Sequence, residues 1–396
     1  MIRRRGTTSE NYRYSLEIAK SLYVYGFILS STLILTNVKL GIIEELGFNL
    51  SPIYFWFITG GLLFTIAYLP SHIKVDVITC FTFFIIIYFG LTQIFLHPPF
   101  SLYLIVIISF YYMIATRILC SKTPSSKLRK IAIIFVYSST ILVLIETVIR
   151  IEGISLIEGL SALVLGDSLF YKFKTNSIMF PDSNYTAFLL LSIIPLSNAV
   201  LTKLSRLFFL SLQSVLIIMT FSRSAIVAFF LVVVLSLIMY KIKFKSIIFV
   251  FIFFFVVVLS IYPMLVNNVL YYFGFVNDAS FTVKMGTFLN AYKFHEKTDF
   301  INFLTGIGFG NSPEYLSIGG HSFFITYLIE TGILGVTLMY IYITLLYTNG
   351  SKNTLYLILL LLITGASFVS HFIPYFFVIY NLLYYIEKND KTVVAY

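Results

Sequence analysis

Cationic side chains beside apolar segments are the groups of this chain best suited to bind a phosphate. Arg223 lies between two apolar runs, and a guanidinium can bind two phosphate oxygens at once. Lys284 supplies a second positive charge in a long loop further along the chain. A cation at a helix end is also a common interfacial anchor, so Arg223 has two interpretations, phosphate binder and anchor.

His321 and Glu330 belong to one apolar segment that begins after Gly319 and Gly320. Imidazole titrates near neutral pH, so His321 can accept a proton from a sugar hydroxyl or hydrogen-bond a phosphate; a plain polar cap is the alternative. A helical rise of ~1.5 Å per residue places Glu330 roughly 13 Å below His321, inside the bilayer. A carboxyl group there is costly, so we expect it to be paired, protonated or functional.

Asp182 and His371 also precede apolar segments on the side of the membrane predicted for His321. Both are candidate substrate-binding residues, although Asp182 is also suited to cap the helix that follows it. The charges of Lys293, His295 and Lys297 fall in the same long loop as Lys284, where solvated side chains are the favoured interpretation.

The composition requires a membrane to position these residues. Of 396 residues, 59% are hydrophobic and only 11% are charged, which excludes a water-soluble fold. The net charge of +10 comes from short Lys and Arg clusters between apolar runs, a pattern typical of topology signals and not of nucleic-acid binding.

Crossing a bilayer takes about 20 apolar residues in a helix, and the chain contains about twelve such segments. We therefore predict an all-α, polytopic membrane protein forming a single domain over residues 1–396. The predicted spans lie near 21–38, 52–70, 76–96, 100–119, 131–149, 184–201, 205–221, 223–240, 246–266, 321–347, 354–370 and 371–386.

The distribution of Lys and Arg predicts that both chain ends lie in the cytoplasm, because most of these residues then fall in the inner segments. Two outer segments are long, 150–183 and 267–320, and Arg150 counts among the outer charges. The segment 267–320 is the predicted large extracytoplasmic loop, with a helix over 280–293. Cys80 and Cys120 fall on the inner side, where thiols stay reduced.

Several chemistries have no sequence pattern here. There is no Cys/His spacing for a metal, no acidic Asp-x-Asp pair for a divalent ion, and no Walker lysine. The glycines at 306, 308 and 310 do not follow a strand of a βαβ unit. We therefore expect neither a metal nor a cofactor.

An ordered set of short motifs resembles the O-antigen polymerase and O-antigen ligase family of bacterial envelopes over roughly residues 180–340. The set begins with a Pro-x-x-Asn before a span (Pro181–Asn184) and a Ser-Arg between two spans (Ser222–Arg223). It continues with a Gly-x-Gly-x-Gly in the long loop (Gly306–Gly310), a His-Ser before a span (His321–Ser322) and a Glu-x-Gly within that span (Glu330–Gly332).

This resemblance implies an inverting, metal-independent glycosyltransferase of GT-C-like architecture in the bacterial inner membrane, with its active site on the periplasmic side. The donor would be a glycan on undecaprenyl pyrophosphate, and in the family two arginines and a histidine surround the pyrophosphate. The matching positions are Arg223, Lys284 and His321, with Lys in place of the second Arg. A chain-length regulator protein is a further partner that the resemblance implies.

Four functions remain open at this point, and the last of them is a scaffold within an envelope-synthesis complex. The favoured one is a polymerase that joins lipid-linked repeat units, and a ligase that transfers glycan to lipid A-core shares its donor. A polysaccharide transporter or flippase is the third, although such proteins usually hold ionisable groups near the bilayer midplane and show two related halves.

Overall fold

The computed structural model describes part of the chain, and this part is almost entirely helical. The described residues are 24–32, 76–98, 100–153, 183–220, 222, 225–231, 279–316, 322–365 and 373–394. No strand occurs among them, which confirms the predicted all-α class for these residues. Short helical stretches lie at 24–32 and 225–231.

The other described helices are numbered in chain order. They are α1 (Val77–Phe95), α2 (Phe100–Lys122), α3 (Ser125–Gly153), α4 (Ser183–Val200), α5 (Lys203–Met219), α6 (Ala279–Lys297), α7 (Phe300–Thr305), α8 (Ser312–Leu316), α9 (Phe323–Asn349), α10 (Lys352–Gly365) and α11 (Pro374–Val394).

Five helices of the described part are long and apolar enough to cross a membrane. They are α1, most of α2 (Tyr103–Lys122), most of α3 (Ser125–Ile151), α4 and α9. A shorter apolar helix covers Asn353–Gly365. These helices support a membrane-embedded protein.

The surface of α1 shows why a membrane is needed. Phe83, Phe84, Leu91 and Ile94 of this helix are each exposed by half or more of their surface. A continuous apolar face of this kind is stable against lipid and would be unfavourable in water. We therefore interpret it as a lipid-facing surface.

The remaining predicted spans differ in how far the structure describes them. Those near 52–70 and 246–266 lie outside the described residues, and those near 21–38 and 223–240 are described only at 24–32 and 225–231. The spans predicted at 205–221 and 371–386 fall on α5 and α11.

The described residues form two compact units. The first unit contains those within 1–79, 109–221 and 374–396. In it, α3, α4 and α11 pack against one another, and α5 packs on α3 and α4. Gln213 of α5 joins this bundle, because its Nε2 donates to Thr140 Oγ1 and to Ser197 Oγ, each at 3.1 Å. Such side-chain hydrogen bonds hold helices together in an apolar environment.

The second unit contains the described residues within 80–108 and 222–373. Within it, α9 packs against α7 and α10, and α6 packs against α8. The helix α9 is kinked at Gly332, where the backbone has φ 64° and ψ −173°. This kink lies in the Glu-x-Gly motif, so it belongs to the candidate site.

Candidate functional site

Most of the predicted site residues lie outside the described residues. This applies to Arg223, His321, Asp182 and His371. Lys284 lies on α6, which covers the helix predicted at 280–293, and its side chain is outside the described part. The described member of the predicted set is Glu330 on α9.

The Glu330 side chain is buried, with 1% of its surface exposed. Its Oε1 accepts a 2.6 Å hydrogen bond from Ser312 Oγ, at the start of α8. The backbone amides of Gly310 and Ser312 face the same carboxylate. Glu330 is therefore held by the segment that follows the Gly-x-Gly-x-Gly motif.

The Gly-x-Gly-x-Gly motif is hydrogen-bonded to the backbone of α9. The amide of Ile307 donates to Ile329 O, and the amide of Gly308 donates to Glu330 O, each at 3.0 Å. The kink at Gly332 ends regular helical bonding there, so these carbonyls can accept from the loop. Two motifs that are separate in the sequence thus form one structural element.

The glycines of this element are required by its geometry. Gly306, Gly308 and Gly310 have φ between 78° and 100°, a region that residues with a Cβ rarely adopt. A Cβ on Gly306 would collide with the backbone of Glu330 and Thr331. A Cβ on Gly332 would collide with Leu304 O.

Free polar atoms lie around Glu330 in the second unit. Within the part that the structure describes, Glu330 Oε2, Tyr327 OH and Tyr88 OH have no hydrogen-bond partner. The Tyr327 phenol is close enough to Glu330 and Tyr88 to interact with both electrostatically. Carboxylate and phenol oxygens with free capacity are groups that bind hydroxyls.

Gln93 of α1 is hydrogen-bonded to the Gly-rich loop. Its Oε1 accepts a 2.7 Å hydrogen bond from the amide of Phe309, and its Nε2 has no partner among the described residues. The Asn311 side-chain amide donates to Leu96 O at 3.3 Å. The Gly-rich loop therefore lies beside the last turn of α1. We name Tyr88, Gln93, Tyr327 and Glu330 the Glu330 cluster.

One of the four members of the Glu330 cluster, Glu330 itself, was predicted from the sequence. Tyr88, Gln93 and Tyr327 are ordinary residues of apolar runs, and only Gln93 carries an amide within the apolar sequence of α1. The amide of Gln93 within an apolar span was the sequence signal that could have identified this residue, because polar side chains in lipid usually have a hydrogen-bond partner.

The first unit holds a second buried charged group. Arg150 and Glu146, one turn apart on α3, form an ion pair with both side chains fully buried. Arg150 was predicted to be an outer charge beyond a span ending at 149, and its side of the membrane stays a prediction. The helix continues to Gly153, so Arg150 points into the packed unit.

Asp76 and Arg117 form another ion pair in the first unit. Arg117 Nε donates to Asp76 Oδ2 at 2.7 Å, and its Nη1 donates to Asn381 Oδ1 at 3.2 Å. The guanidinium also lies 4.8 Å from the centre of the Tyr384 ring. These contacts satisfy a cation that is 3% exposed, so this cluster is interpreted as structural.

No group of three or more His, Cys, Asp or Glu side chains suited to hold a metal ion occurs among the described residues. Comparison with family models, with curated proteins and with solved structures gives no match to this chain.

Proposed function

We propose that this chain is a membrane glycosyltransferase that polymerises oligosaccharide repeat units carried on undecaprenyl pyrophosphate. It has about twelve spans in a GT-C-like arrangement, with both ends in the cytoplasm of a bacterium. The active site faces the extracytoplasmic side of the plasma membrane, and neither a metal nor a cofactor takes part.

One observation supports the proposal beyond sequence order. Gly306–Gly310 and Glu330–Gly332 were selected as separate motifs, and they meet through the hydrogen bonds from Ile307 and Gly308 to α9. Gly306 requires glycine because a Cβ there would strike the other motif, and Gly332 requires it because a Cβ would strike the end of α7. A set of motifs that meets in space supports one shared function better than a set matched in order alone.

The proposed reaction exchanges a glycosyl–phosphate bond for a glycosidic bond. An acceptor hydroxyl attacks the anomeric carbon of the donor sugar, and the bond from that carbon to the pyrophosphate oxygen breaks with its electron pair. The cations of Arg223 and Lys284 stabilise the negative charge on the leaving pyrophosphate. His321 either accepts the proton of the acceptor hydroxyl or hydrogen-bonds the phosphates, and in the second case the proton passes to an oxygen of the leaving pyrophosphate.

Glu330, Asp182 and His371 bind sugar hydroxyls in this proposal. Glu330 is suited to this role because one carboxylate oxygen is fixed by Ser312 while the other has no partner within the described residues. A fixed acceptor orients a hydroxyl with little loss of conformational entropy on binding.

A transporter or flippase is the second candidate function, and one observation favours it. The Glu146–Arg150 pair is fully buried within a helix of span length, and ionisable pairs in spans often mark ion or substrate pathways. A ligase remains the alternative within the enzyme class, because it uses the same donor with a different acceptor.

Substitution in cells tests the proposal. Arg223→Ala and His321→Ala should each abolish long-chain glycan while the protein is still inserted and expressed at the normal level. Lys203→Ala, which removes an exposed cation at the start of α5, is the control and should leave chain length unchanged. Wild-type chain lengths in both test variants would refute the proposed function.

A further inference from the structure

A pocket of about 440 Å³ opens in the second unit between α6, α7 and α8. Its volume lies within the range of small-ligand sites. Lys293 and Lys297 of α6 and Asp299 line it, together with the aromatic rings of Phe294 and Tyr315. None of these residues belongs to the predicted catalytic set.

The two lysines face the pocket without a carboxylate partner. They lie one helical turn apart, both are exposed, and neither forms an ion pair within the described residues. Like charges at this spacing repel and destabilise a helix by a few tenths of a kcal/mol. An anion bound between them would remove that repulsion.

The nearby carboxylates are already engaged elsewhere. Asp299 caps α7, because its side chain accepts from the amide of Asn302 at 2.7 Å and from the Asn302 side chain at 3.1 Å. Glu296 interacts with Tyr292 on the same helix, and this interaction raises the pKa of Tyr292. The charged residues of the pocket lining are therefore Lys293, Lys297 and Asp299, which leave it a net charge of +1, and the two lysines have no ion-pair partner within the described residues.

The aromatic wall adds an apolar surface opposite this charge. Phe294 and Tyr315 meet edge to face, with ring centroids 5.1 Å apart, and Tyr315 is half exposed. Aromatic rings beside a few polar groups are typical of sites for ligands that have both an apolar and a polar face. A sugar ring is such a ligand, since its C–H groups can lie on the aromatic wall.

We propose that this pocket binds a sugar residue that carries a carboxylate, as a uronic acid does. The carboxylate lies between Lys293 and Lys297, and the ring lies against Tyr315. The assignment of this sugar to the glycan substrate rests on the proposed function. The pocket lining includes Ile307, whose amide is bonded to Ile329 O beside Glu330, so a bound sugar lies next to the Gly-rich segment.

Binding is tested directly, without any transfer reaction. Saturation-transfer NMR on the purified full-length protein in detergent micelles would use glucuronate and glucose as separate observed probes and inorganic phosphate as a competitor. Glucuronate should receive saturation from the protein, glucose should give an at least tenfold weaker signal, and phosphate at the same concentration should leave the glucuronate signal unchanged.

Variants then assign the signal to the pocket. Lys293→Ala with Lys297→Ala should weaken glucuronate binding about tenfold or more, because each lysine supplies a charged hydrogen bond. The double Arg variant should retain binding. Lys127→Ala with Lys130→Ala, which removes two exposed lysines near the start of α3, is the matched control and should bind as the wild type does.

Three results would overturn the inference: equal binding of glucose and glucuronate, equal binding of phosphate and glucuronate, or unchanged binding in the double Ala variant. These results are independent of glycosyl transfer. If the lysines bind glucuronate but the protein extends no glycan, the pocket assignment stands and the proposed function fails. If glycan chains are extended but glucuronate does not bind, the proposed function stands and the pocket assignment fails.

Discussion

Ser312 Oγ donates a 2.6 Å hydrogen bond to Glu330 Oε1 and so joins the first turn of α8 to the kinked helix α9. The bond fixes a buried carboxylate against the Gly-rich loop. Its other oxygen, Oε2, faces no hydrogen-bond partner within the described residues. The structural role and the proposed chemical role of this side chain therefore fall on different oxygens.

Glu330→Gln tests the free oxygen. Glutamine keeps the shape of the side chain and can still accept from Ser312, so the protein should remain folded. Loss of the negative charge should raise the KM for the lipid-linked glycan more than it lowers kcat, because the group binds a hydroxyl in the ground state. Steady-state kinetics measure this split, and an unchanged KM would remove Glu330 from the binding site.

Ser312→Ala tests the bound oxygen. The substitution leaves Oε1 of a buried carboxylate without its hydroxyl donor, which should cost about 1–3 kcal/mol of stability. A lower melting temperature of the purified protein in detergent is the expected result. The matched control is Ser126→Ala, an exposed serine of α3, which should melt as the wild type does.

Gly306→Ala should destabilise the protein strongly. The residue has φ 78° and ψ −173°, a region nearly restricted to glycine that costs another residue about 1–3 kcal/mol, and the added methyl would also collide with the backbone of α9. Gly286→Ala on α6 is the control. Apart from the backbone of its own helix, a methyl group on this residue would have no neighbouring atom of the described part within 4 Å. The control should gain up to about 1 kcal/mol from helix propensity. Equal melting temperatures of the two variants would contradict the loop geometry.

Asp76→Asn should destabilise the first unit. It leaves the buried Arg117 without its carboxylate, at a cost of about 3 kcal/mol, and adding Arg117→Met should recover most of this loss. A double-mutant cycle on thermal unfolding measures the coupling. Lys388→Met is the control, since this exposed cation also lies over the Tyr384 ring, at 5.4 Å. A coupling near zero would show that Asp76 and Arg117 act independently.

The predicted topology is tested by cysteine labelling. In a Cys80→Ser background, Ser224→Cys should react with a membrane-impermeant maleimide added from outside, because the adjacent Arg223 is predicted to face that side. Ser126→Cys, predicted to be cytoplasmic, should react only after the membrane is permeabilised. Cys120 is buried and should contribute little background. The reverse labelling pattern would remove the proposed phosphate site from the outer face.

Hydropathy predicted several helices closely because the free energy of moving a side chain from water into lipid depends mainly on the residue type. The spans predicted at 76–96 and 184–201 match α1 and α4 to within a residue or two. α3 extends past its predicted span at both ends, from Ser125 to Gly153. The first turns of α3 are polar, and hydropathy detects the apolar part of a helix, not its full length. The burial of Arg150 was missed for this reason.

The partners of Glu330 were beyond sequence reasoning. The loop reaches α9 through backbone amides, which every residue except proline possesses, so no residue type marks the contact. Gln93 and Phe309 are bonded to each other although they are distant in the sequence. The glycines at 306, 308 and 310 were visible as a motif, but their role became evident only with their positive φ values.

The proposed activity of this chain is to join lipid-linked repeat units to one another. Its most direct test is to place the purified protein in lipid vesicles with a repeat unit on undecaprenyl pyrophosphate and no other acceptor, and to resolve the products by size. We expect a ladder of glycans with the wild-type protein and none with the His321→Ala variant. An unchanged substrate with the wild-type protein would contradict the proposed activity.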